Sequence, residues 1–231
     1  MLVKKYNYQE TNRQNLNGRR YYTTPTGDNV PSVTTILDQT KPQEARRALQ
    51  EWRRRVGEQR AQEITTEAAG RGTRMHKWLE TYIQTGDTGQ PGTHPESQRS
   101  HRMAMKIIDH GMINVTEVWG NEVPLYFPSL YAGTTDCVGI HAGDESILDF
   151  KQSNKLKRRE WIDDYFLQLT AYALAHNEIH NTNIRKGVIM ISVRPEYDND
   201  PVYQEFILEP VDFDTWTHRW WDRVTEYYHK Y

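Results

Sequence analysis

A chain of 231 residues suits one medium domain with a real core and leaves no obvious room for two. At 36% hydrophobic and 26% charged residues it is wetter than an average globular protein, yet not poor enough in apolar residues for disorder. A single cysteine, Cys137, excludes an intrachain disulfide, a Cys-rich zinc site and a four-cysteine iron–sulfur cluster. No apolar run approaches the ~20 residues of a bilayer span, and neither a signal nor a transit peptide is visible. The expectation is a soluble, intracellular protein that makes no membrane contact.

The elements follow in chain order. Residues 3 to 30 alternate aromatic and polar positions (Tyr6, Tyr8, Tyr21, Tyr22) and are broken by Asn17-Gly18 and Pro25-Thr26-Gly27, which reads as a hairpin or two edge strands. Pro31-Ser32 opens a short helix over Val33 to Leu37 with Ser32 as its cap. From about Gln43 to Thr85 the pattern is helical, in two or three pieces with breaks near Gly57 and Gly70 to Gly72. Gly86 to Pro95 is a loop, and another helix runs from about Glu96 to His110. Val115 to Phe127, Tyr131 to Ile140 and Ser146 to Lys151 read as three strands. A patterned helix follows over Glu160 to His176, then a strand pair over Lys186 to Val193 and Val202 to Leu208, and a closing aromatic helix over Asp212 to Tyr231. This order predicts an α/β or α+β fold with a mixed central β-sheet flanked by helices. One domain is expected over 1–231: strands and a short helix to residue 40, a helical region over 41–112, and a sheet core with its C-terminal helix over 113–231.

The net charge of −2 hides an uneven distribution. Lys41 to Lys77 holds ten Lys/Arg against five Glu, and Lys151 to Arg159 holds five basic residues and no acidic one. Two basic stretches fit a phosphate-tracking groove or two solvated faces. Seven Trp and fourteen Tyr can likewise fill a core or stack on bases.

Asp149-Phe150-Lys151 lies at the end of a predicted strand, where residues i and i+2 share a face. A carboxylate and an ammonium then meet at one site: the first can hold a hard cation, the second can orient or deprotonate a water. Asp136, in Gly133-Thr-Thr-Asp136 on the preceding strand, comes beside Asp149 if the turn around Ala142 to Glu145 joins two antiparallel neighbours. Paired carboxylates repel unless a cation lies between them, and oxygen ligands suit Mg²⁺ or Mn²⁺. His76 falls at the edge of an apolar stripe of Met75, Leu79 and Tyr82, where a structural histidine is the commoner occupant. On the 160–176 helix, Ile162, Phe166, Leu169 and Ala173 form a core stripe and Trp161, Tyr165, Gln168 and Tyr172 a second beside it.

The series Gly72-Thr-x-x-His76, Glu122, Gly133-x-x-Asp136, Asp149-x-Lys151 and Gln168-x-x-x-Tyr172 resembles, in that order, the motifs of RecB-type nucleases of the PD-(D/E)xK superfamily. The opening Pro31-Ser-Val-Thr-Thr-Ile-Leu37 and the Trp52 region resemble mitochondrial genome-maintenance exonucleases and related phage proteins. The likeness covers roughly residues 20 to 180 and implies a restriction-endonuclease-like core. It implies that Asp136 and Asp149, with His76 and the Phe150 carbonyl, bind Mg²⁺ or Mn²⁺, and that Lys151 activates or positions the attacking water. Glu122 is implied to hold a metal-bound water or a second ion, and Gln168 and Tyr172 to steady Lys151 and the scissile phosphate. Thr135 stands where the superfamily name has Pro, and the iron–sulfur cysteines of some relatives are absent, so no cluster is expected.

The activity implied is metal-dependent hydrolysis of DNA, as an exonuclease on single strands with free ends. The alternatives are an endonuclease of the same superfamily acting on flaps or branched DNA, and a non-catalytic nucleic-acid-binding module on a nuclease fold. Candidate strand contacts are Arg71, Arg74, Trp52, Trp78, Ser153 and Lys155. The basic helices also suit a helicase or polymerase partner.

Overall fold

Two-residue turns set the strand pairs. Asn17 and Gly18 both take positive φ (52° and 75°), the conformation that matches the twist of a tight hairpin. They join β1 (Asn12–Leu16) to β2 (Arg19–Thr23), and β3 (Asn29–Pro31) completes a small antiparallel sheet. The computed structural model describes residues 2–194 and 199–231. Ser32 caps α1 (Val33–Gln39), its Oγ accepting the Thr35 N–H at 2.9 Å.

The five-stranded main sheet has the order β4-β5-β6-β7-β8, formed by Val115–Phe127, Tyr131–His141, Asp144–Ser153, Lys186–Val193 and Val202–Leu208. Strands β4 to β6 are an antiparallel meander, and Ala142 and Gly143, both at positive φ, make the second turn. β6 and β7 pair in parallel. Parallel neighbours need a crossover, and α5 (Asp163–His180) supplies it. The sheet is therefore mixed, as the order of elements predicted.

Helices cover both faces. α3 (Glu58–Thr85) and α4 (Pro95–His110) bury Met75, Leu79, Met103 and Ile107 against Leu148, Phe150, Val188 and Met190. On the other face α5 packs Phe166, Leu169 and Ala173 on Ile147, Ile189 and Ile191, with α1 and α6 (Phe213–Lys230) beside it. Burying such apolar area contributes about 25 cal/mol per Å².

Two expectations about helices are corrected. A break falls at Gly57, φ +87°, between α2 (Gln43–Val56) and α3, but α3 runs without interruption through Gly70 and Gly72. Each glycine costs a helix interior about 1 kcal/mol relative to alanine, and contacts override that local cost. A Cβ on Gly72 would stand 3.5 Å from Gln152 Cγ, so the helix lies directly on β6 there. The helix expected from Glu160 instead starts at Asp163 after a 3-10 turn, leaving Trp161 62% exposed, and it continues to His180. Its two stripes merge into burial around much of the helix, with Tyr172 also buried.

Candidate active site

Register places the acidic residues. Asn121 pairs with Cys137 and Val123 with Thr135, so Glu122 of β4 stands level with Asp136 of β5. Cys137 pairs with Leu148, and continuing that register sets Asp136 level with Asp149 of β6. The paired ladder between β5 and β6 stops at Cys137 and Leu148, while β6 continues beside β7 to Ser153. Asp136 fills this fork: its Oδ2 accepts the Phe150 N–H at 2.6 Å. That N–H, which has lost its neighbouring strand, is thereby satisfied.

Three further groups converge. Lys151 Nζ is 2.5 Å from Asp149 Oδ2, as expected for i and i+2 of one strand. His76, one residue past the buried Met75 on α3, turns its Nδ1 to 3.4 Å from Asp136 Oδ1. Ligand atoms of His76, Glu122 and Asp136 lie within 4.8 Å of one another. Glu122 takes φ +52° inside a strand, a left-handed conformation that costs a non-glycine residue about 1–2 kcal/mol. Such strain clusters at functional sites.

The charges do not balance. Burial, opposed by Lys151 and reinforced by Asp136, pushes the Asp149 carboxyl up to about 6. Partial desolvation of its carboxyl, together with the negative charges of Asp136 and Glu80, pushes Glu122 up to about 7. Asp136 stays below the usual carboxylate range: burial would raise it, but His76, Lys151 and the Phe150 N–H outweigh that. For His76, burial works against the charged form and Asp136 prevails, raising it to about 9. Lys151 is raised by Asp149 and Asp136 against its burial.

These residues fit a divalent cation. Asp149 is buried, and among the described residues the one donor near its Oδ2 is the Lys151 ammonium. Burial and mutual repulsion drive Asp149 and Glu122 toward protonation, a cost that a bound cation would offset, and an oxygen-rich set with one imidazole suits Mg²⁺ or Mn²⁺.

Gln168 and Tyr172 stand behind this row on α5. Tyr172 is 3% exposed, one turn after Gln168, and its ring lies over Gly133. A Cβ at Gly133 would meet Tyr172 Oη at 2.7 Å, so the glycine lets the ring close on β5 three residues before Asp136. The aromatic ring nearest Lys151 is Tyr165, whose centroid is 5.2 Å from Nζ. Tyr165 was not among the sequence candidates, though it shares the stripe of Gln168 and Tyr172.

Of the expected strand contacts, Trp52, Arg71, Ser153 and Lys155 line one cleft of about 680 Å³ beyond the end of β6, with Arg60, Lys157 and Arg194. Ser153 is buried and its hydroxyl closes a turn, donating to Lys155 O at 2.6 Å. Arg74 lines a neighbouring cleft and pairs with Glu96 at 3.5 Å. Trp78 stands apart from both, packed edge-on to His101 at 4.9 Å and against Gly89. Nothing in the sequence signalled Arg194, which reaches the cleft only because β6 and β7 pair in parallel up to Ser153 and Val193.

The chain is similar to mitochondrial genome maintenance exonuclease 1. The frog Xenopus tropicalis protein of that name is 29% identical over 208 residues, covering 86% of this chain and 57% of the relative. The mouse (Mus musculus) protein is 29% identical over 213 residues (88% and 60%), and the human (Homo sapiens) protein 26% identical over 211 residues (87% and 59%). The chain thus spans a little under two thirds of the length of these curated relatives. No family model matches. A solved structure described as a crystal structure of SSO0001 aligns with 66% of this chain and 73% of its own, at 14% identity and a TM-score of 0.32, too loosely to bear on the fold. No helix among the described residues is long and apolar enough to cross a membrane.

Proposed function

We propose that this chain is a metal-dependent DNA exonuclease of the PD-(D/E)xK superfamily, RecB-like branch, that hydrolyses phosphodiester bonds of single-stranded DNA from free ends. The observation that carries the reading is the meeting of Asp136, Asp149 and Lys151 at the fork of β5 and β6, with His76 delivered from α3. Similarity to proteins named as exonucleases over most of the chain supports it.

Asp136, Asp149 and His76, with the Phe150 carbonyl, would hold Mg²⁺ or Mn²⁺, and Glu122 would hold a second ion or an ordered water. A bound divalent ion supplies Lewis-acid polarisation of a phosphoryl oxygen and lowers the pKa of water. Lys151 brings a positive charge to the oxygens on which charge builds and orients the attacking water. Tyr165 and the Gln168–Tyr172 pair fix the ammonium and β5 in place. The basic cleft beyond β6 receives the strand.

End-labelled linear single-stranded DNA, incubated with Mg²⁺ or Mn²⁺ beside a circular strand, tests the reading. Loss of the linear strand alone, abolished by EDTA and sharply reduced by Lys151→Ala, is expected. Cleavage of the circle as fast as the linear strand replaces the exonuclease with an endonuclease. Binding without cleavage under either ion replaces it with a non-catalytic module.

A further inference from the structure

Arg71 occupies a position that its helix otherwise gives to apolar side chains. It precedes Met75, Leu79 and Ile83 at intervals of four, all of them buried, and is itself 1% exposed. A buried guanidinium ordinarily has a carboxylate partner. Here Nε and Nη2 donate to Gln152 Oε1 at 3.0 and 2.9 Å and Nη2 also donates to Asn154 Oδ1, so both partners are neutral amides. Nη1 has no hydrogen-bond partner among the described residues, and Arg71 lines the cleft beyond β6.

The surroundings deepen the imbalance. Lys155, Lys157, Arg60 and Arg194 line the same cleft, against one carboxylate, Glu67. Burial and the repulsion of Arg194 and Arg99 press against the Arg71 charge, with Glu96 and Glu67 giving partial relief. A fixed guanidinium without a counter-ion, its Nη1 left free inside a basic cleft, is complementary to a phosphate oxygen. Gln152, which holds the fork, directly follows Lys151. His76 lies five residues further along α3, about 7.5 Å of helix rise, so a strand held at the reactive row can bring a neighbouring phosphate to Arg71.

We propose that Arg71, oriented by Gln152 and Asn154, is a built subsite for a backbone phosphate flanking the scissile one. The identity of this ligand rests on the strand-cleaving reading above. Asn154→Asp provides a test that leaves Arg71 and its packing intact, because it gives the guanidinium an internal counter-ion where a neutral oxygen now sits.

Binding of a labelled oligothymidylate to the full chain in EDTA, measured across a salt series, is the readout. Asn154→Asp is expected to reduce the slope of log affinity against log salt by about 0.7, the value for one single-strand phosphate contact. Its melting temperature is expected to be no lower than the parent's. Arg71→Gln is expected to lose the same slope, and Arg71→Lys to keep it. With metal, Asn154→Asp is expected to raise KM about tenfold, the scale of one charge-assisted hydrogen bond, with little change in kcat. A parental slope in folded Asn154→Asp overturns the subsite, whether or not Arg71→Gln folds, and leaves the nuclease reading standing. Loss of slope in a chain that never cleaves DNA overturns the nuclease reading and keeps the anion subsite.

Discussion

Gly133→Ala adds one methyl where β5 meets α5, and the structure gives the consequence. The new Cβ would stand 2.7 Å from Tyr172 Oη, 2.9 Å from Cε1 and 3.2 Å from Cζ. The ring cannot simply swing away, because Tyr172 is 3% exposed and enclosed in the core that α5 forms with the sheet. Overpacking of this kind costs about 1–3 kcal/mol. For a chain of this size that is a fall in Tm of roughly 2–12 °C. The strain is local to β5, three residues before Asp136, so metal-dependent cleavage is expected to fall more than stability alone explains. Tyr172→Phe removes the closest atom but not Cε1, so the double variant should recover part of the loss, with a coupling of about 0.5–3 kcal/mol. Thermal melts of the four proteins in the cycle, with cleavage rates measured well below each Tm, provide the data. A Gly133→Ala protein that melts within about 1 °C of the parent and cleaves normally would refute the reasoning.

Other outcomes follow from the same geometry. Lys151→Ala is expected to lower kcat by about 10²–10³, the scale of removing one preorganised electrostatic group, while oligonucleotide binding persists; full activity in this variant sinks the mechanism. In the metal-free protein His76 is held protonated to about 9, and a ligating imidazole must be neutral. Adding Mg²⁺ or Mn²⁺ at pH 8 should therefore release close to one proton, seen as a binding heat that depends on the buffer, and a buffer-independent heat would exclude His76 as a ligand. Far from the site, His176 is fully buried between Tyr8 and Thr182, and burial with the neighbouring charges of His180 and Lys5 lowers it to about 3 from 6.5. The unfolded chain takes up a proton below 6.5 that the folded chain refuses, so stability is lost as pH falls through the window from 6.5 toward 3. The loss is about 2 kcal/mol by pH 5. Urea unfolding at pH 7 and 5 measures it, and His176→Gln should flatten the difference.

The sequence by itself determined the local elements and the pair Asp149–Lys151. Alternation of period two, the Asn-Gly turn and the Ser32 cap act over a few residues, so the strands, α1 and the sharing of one face by residues 149 and 151 could be read directly. The long basic helices were legible too, apart from the continuity of α3, where two glycines signalled a break that packing on Gln152 overrides. Tertiary structure alone decided the rest. His76 reaches Asp136 across 60 positions, and Arg71 reaches Gln152 across 81. Neither pairing has a periodic signature, because it depends on where a helix lies on a sheet. The fork between β5 and β6, the left-handed Glu122 opposite Asp136 and the closure of Tyr172 on Gly133 belong to the same class. They arise where strands diverge and twist, and hydrogen bonds that the ladder can no longer satisfy are taken up by side chains brought from elsewhere in the chain.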